Sequence, residues 1–172
     1  MSHTLKKIFL LVFSGSTPRL VLHLRLIRYL SRNGYHKVAI LVANRIQRKF
    51  SVFISHKANL PDAVKFPHPT GIVIGEGVAV GERVTIYQNV TIGGARVGDA
   101  QKNDYPQIND GTVIFARALI AGRVRVGRNC VVSSNSVVLN DVPDNATVVG
   151  APATVIRVIG ADGAVTTSKV GK

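Results

Sequence analysis

The 172-residue chain predicts a mainly β fold, a solenoid of stacked short strands, with a basic α-helical extension before it. Three observations carry this expectation. A large apolar residue recurs at every sixth position over much of the chain. Apolar content is 46% with only 6% aromatics and no Trp, so the core must be aliphatic. The net charge of +13 is not spread evenly but belongs to the first third. Charge of that size invites a nucleic-acid or membrane-surface reading, and its location decides between them.

Residues 1–57 hold 11 Lys and Arg and no acid, whereas residues 58–172 carry a net charge of +2. The longest apolar run near the start, residues 8–13, is far short of the ~20 residues of a membrane span. Lys6-Lys7 imitates a signal peptide, but the apolar stretch is too short and no clear cleavage motif follows. A single cysteine, Cys130, excludes an internal disulfide framework and a cysteine-rich zinc site. A cytoplasmic location is expected, with no metal site.

Ser16-Thr17-Pro18 reads as a helix start, a hydroxyl cap followed by proline where a missing N–H costs nothing. Leu20, Leu24, Ile27 and Leu30 follow at helical spacing, and Asn33-Gly34 supplies the stop. A second helix is expected over residues 36–49, with Val38, Leu41, Val42 and Ile46 on one side and Arg45, Arg48 and Lys49 on the other. Two such basic amphipathic helices can lie on an anionic membrane or pack on the main domain with a solvated basic face. Few aromatics interleave with the cations and no recognised motif accompanies them, so nucleic-acid binding is not expected.

The repeat places large apolar residues at Ile54, Leu60 and Phe66, then Ile74, Val80, Ile86 and Ile92, then Ile108, Ile114, Ile120, Val126, Val132 and Val138. Except after Ile92, where the chain enters a loop, a small or β-branched residue follows four positions later, from Ala58, Val64 and Thr70 to Cys130, Ser136 and Val142. A helix, with 3.6 residues per turn, cannot gather period six on one face. Short strands that bend every sixth residue can, burying one large side chain per strand and one small one per corner. Cys130 falls at a corner and reads as a buried spacer.

The repeat breaks twice, and interruptions of a regular scaffold are where chemistry is sought. Between Phe66 and Ile74 two residues are inserted, around Pro67-His68-Pro69-Thr70-Gly71. Between Ile92 and Ile108 the step is sixteen, four more than two hexads, so a loop over residues 93–107 should project. His68, between two prolines, reads from spacing alone as a turn residue or a base.

The six-residue pattern resembles that of the hexapeptide-repeat acyltransferases. Within them, His68-Pro69-Thr70-Gly71-Ile72-Val73-Ile74-Gly75-Glu76 looks like the His-x-Thr-Gly-Ile-Val-x-Gly-Glu segment of serine O-acetyltransferases. Val90-Thr91-Ile92-Gly93-Gly94 is similar to their Val-Thr-Leu-Gly-Gly, and Val148-Val149-Gly150-Ala151-Pro152-Ala153 to their closing Gly-Val-Pro-Ala segment. The resemblance implies a left-handed parallel β-helix with three hexads per coil over residues 52–159; charge and helical spacing give the basic extension over 1–51, and the small, polar composition of 160–172 predicts a flexible tail. It implies an acetyl-CoA-dependent O-acetyltransferase, acting as a homotrimer with sites between subunits. His68 corresponds to the family's catalytic histidine. Gly93 and Gly94 would lie near the oxyanion, the coenzyme near Ala116, Gly122 and Ser134, and Arg157 could meet its phosphates.

The departures concern the acceptor. The aspartate that orients the family's histidine is Phe53 here, the aspartate directly before it is Pro67, and an Arg-His pair becomes Asp104-Tyr105. Serine is a zwitterion and needs charged partners. A sugar hydroxyl of a surface polysaccharide or its precursor is therefore the expected acceptor, bound near Asp104 and Tyr105, as in short polysaccharide O-acetyltransferases of this group. Serine O-acetylation is the alternative, and a non-catalytic membrane-associated β-helix scaffold is a rival of another class. Asp104 and Asp110 are candidates to orient His68. The basic extension suggests a peripheral position at the inner face of the membrane.

Overall fold

A computed structural model describes residues 16–96, 99–102, 104–160 and 163–167. Helix α1 (Ser16–Arg32) and helix α2 (His36–Phe50) precede the solenoid. Gly34, with φ +80°, makes the turn between them, and Ser51 ends α2 in a left-handed conformation.

From residue 53 the chain winds as a left-handed β-helix of triangular section. Its first face stacks β1 (Phe53–Ile54), β2 (Val73–Ile74), β5 (Thr91–Gly93), β8 (Leu119–Ala121) and β11 (Val137–Val138). The second stacks β3 (Ala79–Val80), β6 (Gln107–Ile108) and β9 (Arg125–Val126). The third stacks β4 (Thr85–Ile86), β7 (Val113–Ile114), β10 (Val131–Val132) and β12 (Ala146–Val149). All these pairings are parallel and in register, so each inward residue sits above its counterpart one coil below, as in Ile74, Ile92 and Ile120. β13 (Thr154–Ile159) then turns back antiparallel on β12, and β14 (Val165–Thr167), within the segment expected to be flexible, pairs with β13.

The sixth-residue positions are the inward ones: Ile74, Ile86, Ile92, Ile114, Ile120, Val126 and Val132 are all fully buried. They form one cluster with Leu20, Ile27, Ala39 and Ile46 of the helices, so the helix pair caps the open first coil. The corners hold the small residues, among them Cys130, whose thiol burial pushes up in pKa. Thr112 is satisfied there, its hydroxyl donating to the Gly127 carbonyl and accepting the Cys130 N–H.

Three details of the reading are corrected. Val80 pairs with Ile108 on the second face. Ile92 on the first face therefore leads directly to Ile108, and the second break adds ten residues to one hexad rather than four to two. At the first break Thr70 is exposed and Ile72, fully buried, takes the corner instead. Val142 is not a corner residue: it bridges to Val126 on the second face, after a corner shortened by two residues.

On α2 the expected apolar side splits. Ala39 and Ile46 are buried, whereas Val38 and Leu41 point outward and Leu41 is 65% exposed. The apolar residues encircle this helix, and the pair Ala39–Ile46, not Val38–Leu41, meets the core. Helix α1 is fastened to the first coil by Arg28, which donates to the Leu60 carbonyl at 2.8 Å and pairs with Asp62. Arg25 joins the same carboxylate at 3.3 Å. Burial pushes the Asp62 pKa up, but the hydrogen bond and charge of Arg28, helped by Arg25, outweigh it and hold the carboxyl below its usual range.

Candidate functional site

Two edges of the first face carry the residues singled out from the sequence. The edge where the third face turns into the first is built by a column of left-handed residues: Gly71, Asn89, Arg117 and Asn135. Each N–H there donates to a carbonyl one coil below, as Asn89 to Thr70 and Asn135 to Ala116. At Gly71 a Cβ would lie 2.0 Å from the Asn89 amide oxygen, so only glycine lets that side chain close the corner.

His68 sits in the widened lowest corner of this edge and is exposed. The insertion lifts it clear of the core while Pro69 beside it is buried. Its ring lies 6.2 Å from that of Tyr87, tilted by 51°. Tyr87 in turn stacks on Phe115 at 5.1 Å and 14°. The three rings form an aromatic wall climbing successive coils, with the half-buried Ala116 and the exposed Ser134 above on the same edge. Sequence reading missed Tyr87 and Phe115. The available signal was that each follows an inward isoleucine, a place that elsewhere holds Gly75, Gly81, Gly93 or Gly127.

The opposite edge, where the first face turns into the second, carries Gly93, Gly94, Gly122, Asp104 and Tyr105. The Gly93 carbonyl accepts the Gly122 N–H at 2.9 Å, which fixes the root of the projecting loop. The Gly94 N–H makes no hydrogen bond with another described residue. Helix α3 (Asp99–Lys102) opens with Asp99, whose carboxylate accepts the Ala95 and Arg96 N–H groups at 2.6 and 2.8 Å. Asp104, Arg96 and Arg123, with Gly122, Ala121 and Leu139, line a cavity of mixed character of about 500 Å³ under the loop. Tyr105 packs inward, its ring against Gly77, where a Cβ would lie 2.1 Å from it. Arg157 stands apart, exposed on β13.

One subunit does not bring His68 to Gly93 and Gly94. The two edges are separated by a full strand of the first face, roughly 16 Å for five extended residues. Nor, among the described residues, does a carboxylate make a hydrogen bond or ion pair with His68. Asp104 lies on the far edge, and Asp110 accepts the Glu82 N–H at 2.9 Å, at the turn from the second face into the third. The first face between the edges is largely apolar outside as well as inside, with Phe53, Val73, Leu119 and Val137 facing outward and Thr91 the polar residue among them. Among the described residues no cluster of acids, His and Cys could hold a metal ion.

No protein-family model matches the chain. Among curated proteins, the serine acetyltransferase of Buchnera aphidicola subsp. Acyrthosiphon pisum is 38% identical over 132 residues, covering 77% of this chain and 48% of its own length. That of Haemophilus influenzae is 36% identical over 132 residues, covering 77% and 49%. A solved serine acetyltransferase in complex with CoA superposes with a TM-score of 0.71 at 36% identity, over 78% of this chain and 54% of its own. The serine complex of the Neisseria gonorrhoeae serine acetyltransferase gives 0.76 at 34%, over 84% and 58%. The chain spans about half the length of the curated relatives it matches. Sequence and superposition agree on the same solenoid: the chain is a left-handed β-helix, similar over this region to serine acetyltransferases.

Proposed function

We propose that the chain transfers acetyl from acetyl-CoA to an alcohol, with His68 as general base. The observation that carries this is the exposed imidazole lifted from a widened corner, in a solenoid whose relatives above are serine acetyltransferases. An alcohol is a poor nucleophile at neutral pH, and a neutral imidazole can take its proton as the oxygen attacks the thioester carbon. The carbonyl becomes an oxyanion, for which the Gly94 N–H, without a partner among the described residues, is a suited donor. Collapse breaks the carbon–sulfur bond. The imidazolium returns its proton to the departing thiolate, giving the acetyl ester and CoA.

The separation of His68 from Gly93 and Gly94 supports a site between subunits. A homotrimer would join the His68 edge of one subunit to the Gly94 edge of the next, covering the largely apolar first face. Ala116 and Ser134 then line one wall of the coenzyme groove, and Gly122 with the cavity under the loop lines the other. Arg157 is a candidate for the coenzyme phosphates.

The comparisons favour serine as acceptor over the expected polysaccharide sugar, because the relatives named above are serine acetyltransferases and one solved neighbour holds serine. One observation keeps the sugar reading: the Tyr87–Phe115 stack beside His68 offers apolar ring faces, and the charged partners of a zwitterion are replaced by Phe53, Pro67, Asp104 and Tyr105. CoA release measured with L-serine and with sugar acceptors separates the two. His68→Ala should cut turnover by about 10²–10⁴-fold with the true acceptor. Unchanged release would remove His68 as the base.

A further inference from the structure

The outward side of the helix pair has chemistry that capping the solenoid does not use. Helix α2 turns Ala39 and Ile46, both at most 1% exposed, to the core. Its opposite side carries Lys37, Leu41, Arg45 and Arg48, which helical spacing places on one outer ridge. Helix α1 likewise turns Leu20 and Ile27 inward and leaves Tyr29 62% exposed.

Lys37, Arg45 and Arg48 of this ridge have no acidic partner among the described residues. Residues 1–57 contain no acid, and Asp62 is taken by Arg25 and Arg28. A solvated helix face of ordinary type mixes both signs and keeps leucine off its centre. Here Leu41 stands between cations, the composition of a helix that lies in a lipid interface.

We infer that the outer side of α2 docks on an anionic phospholipid surface, with Leu41 inserted among the acyl chains and the flanking cations against the headgroups. Charge complementarity selects this occupant. A second copy of the same face would bring like charges together, which disfavours association. Nucleic acid would reward the cations but not a central leucine. Each cation held at a negative membrane surface contributes about fivefold in affinity. This inference does not depend on the acyl-transfer reading, and its test requires no turnover.

The test is co-sedimentation of the full chain with vesicles of phosphatidylcholine alone and with phosphatidylglycerol added. Binding is expected only with the anionic lipid and should fall with salt. Arg45→Gln with Arg48→Gln should weaken it about 25-fold, and Leu41→Ser should weaken it several-fold at unchanged charge. Helical circular dichroism and thermal midpoint check that both variants fold. Absence of binding to anionic vesicles overturns the inference. So does equal binding to neutral vesicles, or insensitivity to the charge pair. Binding that Leu41→Ser leaves unchanged assigns the face to a polyanion such as nucleic acid. A larger assembly that Leu41→Ser dissolves, without vesicle binding, assigns it to a second copy.

Discussion

Two inactive variants of this chain should restore each other's activity when they assemble together. His68→Ala removes the base from an exposed corner and takes no contact from the core. Gly93→Leu works from the other edge. A Cβ at Gly93 meets nothing within 4 Å among the described residues, and the backbone there is not left-handed, so the substitution meets no clash or backbone strain at its root. In the proposed trimer that leucine would project into the space between subunits, where the proposed mechanism holds acetyl and oxyanion. Each variant alone should retain about 1% of activity or less. In a cyclic trimer containing both, whichever is in excess, one junction sets an intact His68 against an intact Gly93. Mixed trimers should therefore recover about one site in three. Co-expression with two different tags, sequential purification on both, and CoA release per trimer give the number. Doubly tagged wild type supplies the reference. Background activity in verified mixed trimers would refute the argument, because His68 and Gly93 would then have to act from one subunit.

Two further outcomes follow from packing. Gly77→Ala would push a Cβ into the Tyr105 ring, costing about 1–3 kcal/mol and lowering the thermal midpoint by a few degrees. Tyr105→Ala should cancel most of that penalty in the double variant, and additive losses would contradict the contact. Cys130 is buried, and burial pushes its thiol up, so the reactive thiolate is disfavoured at neutral pH. A thiol reagent should label it only as the solenoid unfolds, at a rate that follows denaturant, and fast labelling of native protein would contradict its burial.

Period six made the inner half of this protein readable. Every inward isoleucine and valine from Ile74 to Val138 obeys one geometric demand, because each must fill the same triangular section. The three faces, however, ask for the same residues. Counting apolar positions therefore could not tell that Ile92 leads to Ile108 by one corner rather than past a face, and only the pairing of Val80 with Ile108 decides it. The excursion is consequently larger than its sequence reading, long enough for Asp99 to cap its turn and Tyr105 to anchor it on Gly77. His68 was legible through a local motif, but its neighbours Tyr87 and Phe115 lie at outward corner positions on which the repeat places no demand. The basic side of α2 was legible in Arg45 and Arg48, but the place of Leu41 on it was not: apolar residues surround the helix, and only docking on the first coil chooses Ala39 and Ile46. The inner code thus specifies the scaffold and leaves the outer residues unconstrained by packing. Departures in that outer set, from Phe53 and Pro67 to the aromatic wall and the basic ridge, are where acceptor choice and location have to be sought.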